Sequence, residues 1–187
     1  MTQKAIAVIV LAIFFLSGAP ARGQQKLQST FFTATIRNSD FDNHLGAIYH
    51  QRNNQPASHQ INVHIPAVYL YDPSGTLIYA GFDPNRNAAL LQHLPQSAKG
   101  LQKVDGLLER NEIFNAVPEF VGARQKIEQA HHYLVLALTN FPHIAYEAKQ
   151  DSAVRQVGEK SASSGVADID VLQLAVDMRP APGSGSR

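Results

Sequence analysis

Apolar residues fall in short bursts along this chain, and their spacing switches between strand and helix periods from one burst to the next. Phe31-Phe32-Thr33-Ala34-Thr35-Ile36 is aromatic and β-branched, which predicts a strand. Phe41, His44, Leu45, Ile48 and Tyr49 recur at helical spacing, so a helix is expected over 40–51, capped by Ser39 or Asp40. Residues 52–58 read as a polar loop, and Ile61-Asn62-Val63-His64-Ile65 alternates as a short strand does. Two apolar runs, 67–71 and 76–80, flank Asp72-Pro73-Ser74-Gly75. In that turn proline presets φ and glycine takes the dihedral other residues resist, so the pair reads as a hairpin.

Beyond the hairpin, Asp83-Pro84-Asn85 leads into a helix expected over 86–94, with Ala89, Leu90 and Leu94 on one side. Residues 101–116 have a helical pattern interrupted by Gly106, and Pro118 fits the first turn of a helix over 118–130. Residues 132–139 are nearly all apolar, as in a strand covered on both faces. A helix is expected over 144–157 and a flexible loop over 158–165, where glycine, serine, lysine and glutamate dominate. Residues 168–178 read as a last strand, and 179–187 as a disordered Pro/Gly/Ser tail. Alternating strands and helices predict an α/β fold, a mixed-sheet α/β sandwich.

The N-terminus changes the picture of where this domain works. Lys4 precedes an unbroken apolar run of 12 residues, Ala5 to Leu16, and Ala19-Pro20-Ala21 offers a small-x-small cleavage pattern. That order reads as a secretory signal peptide over 1–23, cut near Ala21 or Gly23. The run is shorter than the ~20 residues a membrane span needs, and no later segment is apolar enough to span, so no membrane span is expected after cleavage. The expected destination is secreted or periplasmic, with a single α/β domain over 24–178. Without Lys4 and Arg22 the 16 basic residues become 14 against 15 acidic ones, a formal charge of −1. That balance lacks the basic footprint of a nucleic-acid binder. There is no cysteine, so an exported chain must rely on its core without disulfides.

Residues 61–94 resemble the C-terminal half of a thioredoxin-like fold. The resemblance rests on a short strand to Ile65, then Pro66, the hairpin, Gly81 and a closing helix. It implies a cis Ile65–Pro66 bond and an Ile65 backbone able to pair with an extended peptide, a strand-addition mode of recognition. The family's redox members carry Cys-x-x-Cys after the first strand. The corresponding Thr35-Ile36-Arg37-Asn38-Ser39-Asp40 has no thiol, so thiol–disulfide exchange by this chain alone is ruled out. Only 25 residues separate Asp40 from Pro66, short for a helix, a central strand and a second helix. Either the fold is trimmed, or residues 118–178 supply the missing helix–strand–helix–strand unit in a permuted order.

Candidate binding residues are therefore Ile65, Pro66, Tyr69 and Tyr71, the two tyrosines sharing one face of their strand. An open tyrosine face suits a peptide; a covered one is core. A trans proline at the start of an edge strand is the plainer alternative for Pro66. Eight histidines are present, but no H-E-x-x-H or H-x-H pattern, and they read as scattered surface groups. His44 and His50 lack chelating spacing, and His131 and His132 point to opposite faces of a strand. Asp168 and Asp170 share a strand face and could share a cation or simply be solvated. Ser163 and Ser164 fall in the expected loop, where no nucleophile could be held. No catalytic residue, metal ligand or cofactor is assigned. The sequence suggests an exported, non-catalytic binding or accessory protein of the cell envelope with a peptide or protein partner. The alternatives are a metal-binding protein or hydrolase built on histidine and carboxylate, and a structural envelope component.

Overall fold

The computed structural model describes residues 28–53, 64–105, 109–164 and 168–179. The expected signal peptide, most of the 61–65 strand and the tail from 180 onward lie outside those residues. The elements are β1 (Phe31–Arg37), α1 (Asn38–Asn53), β2 (Ala67–Tyr71), β3 (Leu77–Gly81), α2 (Pro84–Gln92), α3 (Arg110–Ala116), α4 (Val121–Ala130), β4 (Tyr133–Phe141), α5 (Ala148–Ser164) and β5 (Ile169–Asp177). Single 3₁₀ turns stand at Gln96–Ala98, Pro118–Phe120 and Ala145–Glu147.

One five-stranded mixed sheet has the order β1-β5-β4-β2-β3. β1, β5 and β4 run parallel, and β2 lies antiparallel to both of its neighbours, β4 and β3. Side chains alternate across it, so each face builds its own core. Leu134, Leu136, Leu138, Leu172, Leu174 and Tyr71 face a layer that includes Phe41 of α1, Phe114 of α3 and Ile127 of α4. Val135, Ala137, Val68, Leu70 and Val171 face Ala88 and Leu91 of α2 and Ala153 and Val154 of α5. The result is an α/β sandwich of three layers. β4 and β5 are predominantly apolar because both their faces are covered.

The hairpin forms as its sequence predicts. Asp72 Oδ1 accepts from the backbone N–H of Ser74 at 2.9 Å and Thr76 at 3.0 Å, and Gly75 takes φ +91°. Asp83 caps α2 by accepting from the N–H groups of Asn85 and Arg86 at 2.8 and 3.0 Å, with Pro84 in the first turn. Residues 118–178 hold the elements α4, β4, α5 and β5, with β4 paired to β2. Residues 35–40, the segment matched to the thiol site, lie instead at the edge strand β1 and the start of α1, with β5 and β4 between β1 and β2.

Three expectations need correction. Residues 158–164 are helix, not loop: α5 continues through Gly158 to Ser164. Gly158 marks a close approach, since a Cβ there would sit 2.7 Å from the Phe31 ring of β1. The helix expected over 101–116 exists only from Arg110. Before it, Val104 spends its N–H on the Leu77 carbonyl of edge strand β3, at 2.9 Å, rather than on a helical turn. His64 and Ile65 lie outside any strand, and register with β4 begins at Ala67, opposite Leu138.

Candidate functional site

One end of the sheet gathers most of the chemistry. β2 starts there, and β3, β4 and β5 finish there. The register fixes this: Ala67 lies opposite Leu138, Val68 opposite Gly81, and Phe141 opposite Asp177. The carboxyl ends of parallel strands, where helices begin, are the usual position for binding sites in α/β sheets.

The four residues named from sequence all lie on β2 or just before it, in unequal settings. The Ile65–Pro66 bond is cis. Pro66 is buried and Ile65 half-buried against the layer below. Tyr69 is partly covered, its ring edge-on to Phe82 at 6.3 Å, and burial pushes its hydroxyl up to about 12. Tyr71 has no exposed surface and belongs to the core, so it offers nothing to a partner. The helices α1, α3 and α4 cover that face of the strand. β2 is also not an edge strand. It pairs with β3 on one side and β4 on the other, so a partner strand could meet only the segment before Ala67.

A buried polar network holds this end together. Gln150 of α5 donates from Nε2 to the Ala67 and Leu138 carbonyls, at 3.4 and 3.3 Å. Its Oε1 accepts from Asn87 Nδ2 at 2.6 Å. Asn87 Nδ2 also donates to the Gly81 carbonyl at 3.1 Å, and Asn87 Oδ1 accepts from the Tyr79 hydroxyl at 2.8 Å. Two helices and three strands thus share one hydrogen-bond chain, in which Asn87 and Gln150 are fully buried. Gly81 has to be glycine here, because a Cβ would fall on Asn87 Oδ1 and the Tyr79 hydroxyl.

Beside the network, at the start of α5, stand His143, Glu147 and Asp151. One ligand atom from each lies within 4.8 Å of the other two. Glu147 is fully buried, accepting from the Asn140 N–H at 3.1 Å, Asn140 Nδ2 at 3.3 Å and the Ile144 N–H at 3.2 Å. His143 Nδ1 is 3.0 Å from Asp151 Oδ2. Burial, then the negative charge of Glu147, raise the Asp151 carboxyl above its ordinary value; His143 and Arg155 oppose the shift. The sequence held a signal for this set. Positions 143, 147 and 151 repeat every four residues, the spacing of one helix face. A search for H-E-x-x-H spacing passes over it.

A second histidine–carboxylate group lies at the opposite end, where β4 and β5 begin. His132 is buried between Asp170 and Asp168, with Nδ1 3.3 Å from Asp170 Oδ2 and Nε2 4.0 Å from Asp168 Oδ1. The closer pair is out of line for a hydrogen bond. Asp170 is fully buried, whereas Asp168 is exposed, so they are not a matched pair of surface acids. Asp170 Oδ1 accepts from the Thr30 N–H at 2.6 Å, tying the entry of β1 to β5. Ser163 and Ser164 lie at the end of α5.

Comparison with known proteins finds no matching family model, no matching curated protein and no matching solved structure.

Proposed function

We propose that this chain is an exported binding module, thioredoxin-like in build and without thiol chemistry. It would take an extended segment of a partner protein at the sheet end around Ile65 and Pro66. The carrying observation is a set of apolar side chains left in solvent at that end. Phe82 is 42 % exposed and Tyr146 61 %, with Ile144 and Met178 about as open. All four follow directly on the strands that finish there or on the turn into α5. Single exposed apolar residues are ordinary; several at one end of a sheet mark an interaction site. Phe82 also stacks on His64, ring centroids 5.1 Å apart, next to Ile65.

The build supports the same reading. A hairpin, Gly81 and the closing helix α2 lie beside the strand–helix–strand unit β4–α5–β5, the permuted arrangement that the resemblance allows. With no cysteine in the chain, such a surface could bind but not exchange disulfides.

The test is a fluorescence-anisotropy titration with labelled extended peptides rich in aliphatic residues. Phe82→Asp and Ile144→Asp are each expected to weaken binding by about tenfold or more, roughly 1.4 kcal/mol. Val121→Asp, on α4, leaves it unchanged. If no peptide binds, or if both variants bind like the unmodified chain, the reading fails.

A further inference from the structure

We propose that His143, Glu147 and Asp151 bind a divalent first-row cation, zinc foremost, at the start of α5. The imidazole Nδ1 and one oxygen of each carboxylate already lie within 4.8 Å of one another. Zinc ligated at ~2.0–2.2 Å by three protein groups would keep a fourth position for water. Bringing the three atoms to such a centre is a movement of about 1 Å, within the reach of the half-exposed His143.

A second observation points to the same ligand. Asp151 Oδ1 is closed off from solvent and has no hydrogen-bond donor. A buried carboxyl oxygen left bare in this way is completed by a cation or a donor. Its neighbour Glu147 brings a second buried negative charge. The imidazole of His143 and the guanidinium of Arg155 oppose these charges. The positive end of α5 opposes a cation, and two carboxylates outweigh that partial charge.

Glu147 is held as ligating carboxylates usually are. Asn140 and Ile144 donate to it at 3.1 Å or longer, which fixes the plane of the carboxylate; a metal would take the place of the longest of these contacts, Asn140 Nδ2 at 3.3 Å. A mixed nitrogen–oxygen set with two carboxylates suits zinc or manganese better than a soft thiolate-seeking ion. The two readings share only Ile144, whose side chain serves the peptide surface and whose backbone N–H holds Glu147, and Phe82→Asp tests the first without touching the second.

The experiment is a zinc titration of the chelator-stripped full chain, in competition with a chromophoric chelator. One tight equivalent is expected. His143→Ala and Asp151→Asn should each weaken it by about tenfold or more. His44→Ala, on α1, should leave it unchanged. Because Glu147 also caps its own turn, the outcome is read from His143, which is exposed and removable without unfolding the chain. Absence of a tight equivalent overturns the proposal, as does zinc binding unchanged in both the His143 and Asp151 variants.

Discussion

Asp170 is the side chain whose position costs the fold most obviously. It is fully enclosed, and burial raises its carboxyl above the ordinary value of 3.8, against the Thr30 N–H and His132, which favour the charged form. A carboxyl with a raised value in the folded state favours folding while it is protonated. That contribution is lost as pH rises from about 4 through the shifted value. Asp170→Asn keeps an oxygen for the Thr30 N–H and removes the buried charge. Relative to the native chain, the variant is expected to gain stability progressively from pH 4 to pH 7. Urea unfolding at several pH values measures the difference. A constant difference, or one that shrinks with pH, would show that His132 fully compensates the charge. Asp170 was legible as a strand residue but read as solvated, because alternation alone does not tell that helix layers cover both faces of β5. Tyr71 was ambiguous in the same way.

Elements were legible wherever their signals were local. The hairpin could be read because Asp72, Pro73 and Gly75 build the turn from their own atoms. α2 could be read because Asp83 and Pro84 supply its start. The second half of α5 could not. Its glycine and serines are poor helix formers, and what holds it is contact with the sheet through Val157 and Gly158, which local composition does not encode. This has a measurable consequence. Gly158→Ala should destabilise the protein by about 1–3 kcal/mol, because the new methyl meets the Phe31 ring. In a Phe31→Ala background the clash is gone, and the same substitution should instead stabilise by about 0.5–1 kcal/mol through helix propensity. Thermal or urea unfolding of the four chains decides it. The same sign in both backgrounds would mean that Phe31 is not what keeps residue 158 small.

At the scale of the molecule, the pairing of β1 with β5 joins segments about 140 residues apart, and nothing in either strand announces the other. That is why the strand order stood open between a trimmed and a permuted fold. It also makes the sheet unequal in stability. β4 and β5 pair on both sides and are covered on both faces, whereas β1 is paired on one side and half-exposed. Regions with fewer buried contacts open first, without global unfolding. Amide hydrogen exchange in native conditions should therefore rank β4 and β5 slowest and β1 clearly faster, with α1 following β1 because its Phe41 and Leu45 pack into the same layer. Closure of a long loop must precede any gain from the β1–β5 pairing, so the edge strand also has the weakest claim to early docking. If β1 amides exchange as slowly as those of β4, the first strand is part of the central folding unit, and the hairpin with β4–α5–β5 is not a self-sufficient core.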